Sequence, residues 1–438
     1  MIQSKYNLHY KNGAYVLCFN TKTGAIVLFS KYKFDSFVKD KLDTTARRVC
    51  FELGFYVNEG INEFEEIIEH CKHRVSKSNL YKYRILTTTA CNAKCPYCYE
   101  NGLSVHSMTL NTADKVASFI LNEVSSGGKT QIEWFGGEPL LNTRVIDLIS
   151  DRLNKELPLD VSFTSSIITN ASRINDTIID KIRNNWKTNR IQITIDGIGE
   201  EYEQVKGLGN KSFERLITTI TKLTQINLHI DIRFNYDKHN YQSIIPFAKY
   251  FSSFPNKDRL SFYAAKIFSE ESKRGYFDLE KETLYVDSIM HQYGLILGPL
   301  LLPKTFSTGC MALYPNFYTI DPQGRLFKCD RRLLDKNSIS TIDNFTHREN
   351  HEAAEDSYHF AEKCQDCKIF PLCWGGCQYD RITGIYPCYL TTRIINERLR
   401  MILEDYSTNC SSAIKIISKG KRGLSTKIND ISLEAKPG

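Results

Sequence analysis

From Tyr81 onward the chain alternates between short β-rich runs and amphipathic helical runs, and this alternation restricts its possible folds more than any other feature. The β-rich runs lie at residues 83–88, 131–134, 161–169, 190–195, 228–234 and 260–264, with helical patterns at 112–124, 145–156, 175–184 and 213–225. Successive βα units bury their apolar surface by forming a parallel sheet covered with helices, either open or part of a barrel. The expected fold class is therefore α/β, with a partial (β/α)6 TIM-type barrel over residues 81–300. A chain of 438 residues exceeds one ordinary domain. Residues 1–80 read as a small α+β module in which β runs at 15–19 and 25–29 flank the turn Asn20–Gly24, a hairpin signal. A helical pattern at 62–73 then places Phe64, Ile67, Ile68 and Cys71 on one face, and polar residues 74–80 serve as a linker. After residue 300 the alternation stops and cysteines crowd in, so residues 301–390 are expected to be organised by ligands more than by an apolar core. A last helix at 391–406 precedes a basic tail, which makes 391–438 the fourth segment.

Fourteen cysteines are too many for an ordinary cytosolic enzyme. Disulfides need an oxidising compartment, to which nothing in the sequence points, so metal ligation is the better explanation. The start MIQSKYNLHYKNG lacks the apolar core of a signal peptide, and no apolar run reaches membrane-spanning length. A cytoplasmic location without a membrane partner is expected. The net charge of +7 allows an acidic partner, but residues 411–438 hold six Lys/Arg against two Asp/Glu. The rest of the chain is close to balanced. The tail reads as a solvated, partly disordered end, and no nucleic-acid partner is expected.

Cys91-Asn-Ala-Lys-Cys95-Pro-Tyr-Cys98 directly follows the first strand of the alternating region. Three thiolates this close can hold three irons of a four-iron cluster and leave the fourth open to a small chelating molecule. With a distant His or Cys they can also hold zinc. In a βα barrel, chemistry gathers at the C-terminal strand ends, and this loop is the first such end. Gly136-Gly137-Glu138-Pro139 follows the second strand, where paired glycines let backbone approach a ligand and a carboxylate can meet a cation.

These residues resemble the signature of the radical S-adenosylmethionine superfamily: Cys, three residues, Cys, two residues, Cys, with an aromatic before the last, here Tyr97. The resemblance implies that Cys91, Cys95 and Cys98 hold a [4Fe-4S] cluster and that S-adenosylmethionine binds it. The loop Gly136, Gly137, Glu138 and Pro139 would take the cofactor's amino group. Thr169 and Asn170 after strand three, Thr194 in Ile193-Thr-Ile-Asp196-Gly197, and Arg233 and Asn235 on strand five continue the likeness. Many relatives follow Asp-Gly with a His and then an Arg ten residues beyond the Asp. Here Tyr202 and Lys206 stand in those places, and lysine keeps the charge without the planar fork.

The later cysteines follow a regular plan: Cys310, thirteen residues, Gly324, four residues, Cys329, then Cys364-x2-Cys367-x5-Cys373-x3-Cys377, and Cys388. A double zinc ribbon is one reading of such spacing. The pattern resembles the SPASM domain, the C-terminal module of many peptide-modifying radical enzymes. It implies two auxiliary [4Fe-4S] clusters: Cys364, Cys367, Cys373 and Cys388 on one, Cys310, Cys329 and Cys377 on the other. Lys304 stands where fully ligated relatives have a further Cys, so the second cluster either keeps an open iron, the better expectation, or takes its fourth ligand from Cys18, Cys50, Cys71 or Cys410. Cys18, Cys50, Cys71 and Cys410 are expected to be small buried hydrophobes. Asp330, after Cys329, matches the position of a catalytic base in sulfatase-maturing relatives. The other reading is a surface Asp paired with Arg331 or Arg332.

The resemblance implies an oxidoreductase that modifies a peptide or protein, with a flavodoxin or ferredoxin as reductant. Its foremost form is a maturase of a ribosomally made peptide that forms a thioether or related crosslink, with residues 1–80 as a winged-helix-like grip for the leader peptide. The alternatives are an anaerobic sulfatase maturase that makes formylglycine, and a cluster-bearing electron carrier or sensor that is not an enzyme.

Overall fold

The computed structural model describes residues 1–267, 280–303, 310–333, 338–346, 360–382, 388–407, 415–419 and 426–430. They divide into two compact units, 1–74 with 297–309 and 359–438, and 75–296 with 310–358.

The first unit begins with strands β1 (Ile2–Gln3), β2 (Asn7–Asn12), β3 (Tyr15–Asn20), β4 (Ile26–Ser30) and β5 (Tyr56–Val57), and helices α1 (Lys31–Val38), α2 (Thr44–Glu52) and α3 (Glu63–Ser76). β2, β3 and β4 form an antiparallel meander. The hairpin turn closes where its sequence predicts. Asn20 accepts from Thr23 N at 2.9 Å and donates to Asn7 at 2.8 Å, while Gly24 N bonds back to Asn20 O at 2.8 Å. Because side chains alternate along a strand, Val16, Cys18, Val27 and Phe29 face Phe34, Phe37, Ala46 and Cys50, and Leu17, Phe19, Ile26 and Leu28 face the other way.

The second unit contains β6 (Leu80–Thr88), α4 (Leu110–Glu123), β7 (Lys129–Gly136), α5 (Thr143–Glu156), β8 (Ser162–Thr169), α6 (Asp176–Asn184), β9 (Thr188–Thr194), α7 (Glu200–Lys206), α8 (Ser212–Leu223), β10 (His229–Tyr236), α9 (Ile244–Ser252), β11 (Leu260–Lys266) and α10 (Glu280–Gln292). Strands β6 to β11 lie side by side in parallel. The sheet then continues past the expected six. β12 (Phe317–Ile320) pairs in parallel with β6, and β13 (Arg325–Phe327) and β14 (Ser340–Thr341) add antiparallel beyond it. Among the described residues the order β11-β10-β9-β8-β7-β6-β12-β13-β14 is a nine-stranded partial barrel, open between β11 and β14.

One face of this sheet is apolar. Ile85, Trp134, Ile167, Ile193 and Ile232 pack with Val116, Ile120, Ile149, Ile220 and Phe247 of the helices. Alternate residues on the other face carry charge: Arg84 bonds Glu133, and Arg190 bonds Asp231. A polar inner face on a strand-built wall is the arrangement of a barrel that receives a ligand.

The chain returns to the first unit with helix α11 (Thr392–Ser407) and strands β15 (Lys415–Lys419) and β16 (Thr426–Asp430). Ile395, Leu399, Ile402 and Leu403 cover Leu8, Leu17, Phe19, Ile26 and Leu28, the face of the meander that α1 and α2 leave open. β15 pairs antiparallel with β4 at Ile26 and Val27, and with β16 along its length. These two segments of the tail therefore form paired strands. An uncovered β4 edge would present unpaired backbone groups, and β15 supplies partners for them.

Candidate active site

The loop after β6 carries the first three cysteines. Ala93 N donates to Cys91 Sγ at 3.4 Å, and Cys98 N bonds Cys95 O at 3.2 Å. Asn101 closes the turn, its side chain donating to Cys95 O at 3.0 Å. Burial raises the Cys91 thiol to about 11, with smaller contributions from neighbouring Glu138, Cys95 and Cys98. The three thiols thus lie within electrostatic reach of one another. Among the described residues, no three His, Cys, Asp or Glu groups are closed at metal-ligand geometry. The donor set is nonetheless three soft thiols on one partly exposed loop, which suits a thiolate-bound iron–sulfur cluster.

The Gly136–Pro139 turn lies flush against this loop. Gly137 N bonds Thr88 O at 3.1 Å, and Glu138 N bonds Ala90 O at 2.9 Å. Gly136 has φ of 119°, and a Cβ there would sit 2.1 Å from Thr88 O; at Gly137 one would sit 2.3 Å from Ala90 O. Both positions need glycine for close backbone approach. Glu138 is fully buried. Its carboxylate turns inward, accepting from Leu140 N at 3.1 Å, Thr169 Oγ1 at 2.7 Å and Asn170 N at 2.8 Å. Burial raises its pKa, against the lowering effect of these three bonds. The side chain thus clamps the ends of β7 and β8, and Pro139 O accepts from Thr87. Asn170 continues the link to the cysteine loop, donating to Asn92 at 3.0 Å with Cys91 Sγ 4.0 Å away. Asn92, Asn170, Arg173 and Arg215 line a cavity of about 670 Å³ beside this junction.

A buried polar knot lies on the other side of the loop. Tyr97 donates to Asp196, and Lys206 Nζ reaches Asp196 at 2.7 Å and Tyr97 OH at 3.1 Å. Asp196 also accepts from Asn235 N at 3.1 Å, and Arg233 Nε donates to Asn235 at 2.7 Å. Asp196 and Lys206 are buried. Burial disfavours the charged ammonium, but the charge of Asp196 outweighs it and holds Lys206 well above the usual lysine range. Thr194 faces Arg233 in the β9–β10 register and takes no part in the knot.

Asp330 is not a surface acid paired with Arg331 or Arg332. It accepts from Arg84 Nη1 at 2.6 Å and from Tyr99 OH at 2.9 Å, with Cys329 Sγ 3.9 Å away. Arg84 also bonds Glu133. Glu100 is buried beside this group; burial first, and then the charge of Asp330, pushes it up to about 8. Arg84, Tyr99, Glu100 and Glu133 were not anticipated. Only Arg84 leaves a trace in the sequence, as a charge alternating with Lys82 among Tyr81, Tyr83 and Ile85 of β6.

In the other unit, Cys364, Cys367, Cys373 and Cys388 act on one another electrostatically. Burial raises Cys373 to about 12, with added contributions from the charges of the other three. Cys377 lies in this unit, whereas Cys310 and Cys329 lie in the barrel unit. Lys304 and Cys410 fall outside the described residues. Cys18, Cys50 and Cys71 are buried. No helix among the described residues is long and apolar enough to cross a membrane.

Comparison with known proteins agrees with this geometry. Residues 85–251 match the radical SAM superfamily. The chain is 23% identical over 75% of its length to the radical SAM cyclopropyl synthase TigE of Paramaledivibacter caminithermalis, 75% of which is covered. It is 24% identical over 66% of its length to the cysteine-type anaerobic sulfatase-maturating enzyme of Clostridium perfringens, 86% of which is covered. Among solved structures, anSMEcpe with bound AdoMet superposes with a TM-score of 0.61 at 19% identity, covering 75% of this chain and 98% of that one. SuiB of Streptococcus suis bound to S-adenosylmethionine superposes with a TM-score of 0.50 at 15% identity, covering 90% and 99%. Residues 85–251 of the barrel are thus a radical SAM domain, in a chain similar to TigE and to the anaerobic sulfatase-maturating enzyme. That family's chemistry implies S-adenosylmethionine and a [4Fe-4S] cluster as cofactors.

Proposed function

We propose that this protein is a peptide maturase that uses S-adenosylmethionine and three [4Fe-4S] clusters to crosslink a ribosomally made precursor. The observation that carries this reading is the backbone seam between the Cys91–Cys98 loop and the Gly136–Pro139 turn at the strand ends of the barrel. Cys91, Cys95 and Cys98 would hold the first cluster, and the exposed backbone of the glycine turn, with Tyr97, Asn170, Arg233 and Asn235, would orient the cofactor. When bound, this pair of groups supplies a 5′-deoxyadenosyl radical able to take hydrogen from an unactivated carbon.

Cys364, Cys367, Cys373 and Cys388 would hold one auxiliary cluster, and their mutual influence supports the grouping. Cys310, Cys329 and Cys377 would hold the other and leave one iron open to a substrate thiolate. Asp330, fixed by Arg84 and Tyr99, would receive the proton lost from the substrate. Residues 1–80 would hold the leader peptide by strand addition. The outer edge of β2 supports this, because β2 ends the sheet order β16-β15-β4-β3-β2 and no strand among the described residues pairs on its far side. The neighbour SuiB was solved bound to the precursor peptide SuiA, and its likeness extends over 90% of this chain.

The sulfatase-maturing reading has its own support in the relative from Clostridium perfringens and in the TM-score of anSMEcpe. Anaerobic reconstitution with reductant, S-adenosylmethionine and candidate substrates separates the readings. The expected result is release of 5′-deoxyadenosine, loss of two hydrogens from a short peptide encoded beside this gene, and much weaker reaction once its leader is removed. Replacing Cys91, Cys95 and Cys98 with Ala should abolish that release and leave the auxiliary iron. Modification of a sulfatase peptide instead would establish the second reading, and iron uptake with no deoxyadenosine would leave an electron carrier.

A further inference from the structure

We infer that Lys206 is a positioning residue that fixes the cofactor-facing ring of Tyr97 without itself touching the cofactor. The inference rests on the proposed cofactor site and deepens it. Lys206 ends the short helix α7, and its ammonium lies between Asp196 Oδ2 at 2.7 Å and Tyr97 OH at 3.1 Å. The ammonium also lies 5.8 Å from the centre of the Tyr97 ring. Its side chain is 4% exposed and that of Asp196 is wholly buried. Two of the ammonium's three donors are thus spent on internal partners, and a side chain only 4% exposed leaves the third almost no access to anything outside the protein. An arginine fork would extend past them.

The backbone of the same residue grips the loop a second time. Lys206 O accepts from Lys94 N at 2.7 Å, and Gly207, left-handed at φ of 62°, brings the chain to the side chain of Lys94. The cysteine loop is thus pinned at Lys94 through backbone and at Tyr97 through a side chain, both from one helix end. Asp196 extends the tie to the neighbouring strand by accepting from Asn235 N. A phenol held by Asp196, Lys206 and Asn235, whose Nδ2 is 3.4 Å away, has no rotational freedom left for its oxygen. A ring carried by the cluster loop and fixed in this way becomes one wall of the cofactor site.

The test uses the reconstituted full chain and measures binding of S-adenosylmethionine, and of its decarboxylated analogue, to Lys206→Met, Tyr97→Phe and the double variant. Each single substitution should weaken both ligands by about tenfold, the equivalent of one charge-assisted hydrogen bond. The double variant should bind no more weakly than either single one, and Lys206→Arg should restore only part of the loss. The spectrum of the reduced first cluster, recorded with and without cofactor, should change alike in both single variants. Lys206→Met strands a buried carboxylate, so Asp196→Asn/Lys206→Met is measured beside it, and Tyr97→Phe removes a single oxygen from an otherwise intact ring. A loss confined to the ligand that bears the carboxylate would mean that Lys206 meets the cofactor directly and would overturn the inference. Additive losses in the double variant, or native binding in any of these proteins, would overturn it too. If the native protein itself bound no S-adenosylmethionine, the proposed function would fall, and the positioning role with it.

Discussion

Gly137 shows how much of the site depends on single atoms. An added Cβ would lie 2.3 Å from Ala90 O and 2.7 Å from Thr89 O, both backbone, so neither neighbour can turn aside. The expected result for Gly137→Ala is a destabilisation of about 1–3 kcal/mol, the usual cost of overpacking, together with a lower iron content after reconstitution. Urea midpoints and iron-to-protein ratios that match the native protein would refute this. The cysteines and glycines were legible because their spacing is local and their chemistry restricted. The partners of Asp330 were not, because Arg84 lies far from it in sequence and a lone charge in a strand has many possible uses. The inward turn of Glu138 was equally hidden, since a carboxylate beside paired glycines reads the same whether it meets a ligand or clamps two strands.

At the scale of elements, all six expected barrel strands are present, with ends shifted by a few residues. Their apolar alternation marked them clearly. β2 went unmarked because Asn7–Asn12 is polar at four of its six positions, with only Leu8 and Tyr10 apolar. α7 is too short to show a period, and α9 carries Pro246 in its first turn, where proline is tolerated although it reads as a break. Capping was readable in principle at α2. Asp43 accepts from Ala46 N at 2.8 Å and pairs with Lys33 at 2.7 Å, and these two contacts, in that order, hold its carboxyl below the usual 3.8. A depressed folded pKa gives stability that is present above the ordinary value and lost as pH falls through the folded one. Asp43→Ala should therefore cost about 1 kcal/mol at neutral pH. Below a pH of about 4 the variant and native curves should converge as the native carboxyl protonates. A constant gap between two urea-denaturation series down to pH 3 would contradict this.

At the scale of the whole molecule, neither unit is a continuous stretch of chain. Periodicity could not reveal this, because it speaks of neighbours in sequence and not of partners hundreds of residues away. The N-terminal meander owes one of its apolar faces to α11, in which Leu399 is fully buried. Leu399→Ala should destabilise this unit by about 3 kcal/mol. The loss should appear as an earlier unfolding transition, followed by Trp374 fluorescence, with the barrel transition unmoved. An unchanged first transition would show that the cover is dispensable.

The pairing of β12 with β6 has a consequence for the order in which the protein is made. β6 leaves the ribosome at residue 88, and its parallel neighbour begins at residue 317. At about 5–20 residues per second, that strand waits roughly ten to fifty seconds with one edge bare. The meander waits longer still for the helix that starts at Thr392. Folding as the chain emerges, with each domain completed before the next is translated, is closed to this protein. β6 lacks its second neighbour until residue 320 is made, and the meander lacks its cover until α11 follows; until then the nascent chain offers apolar surface and a free strand edge to whatever chaperone or stray strand is nearest.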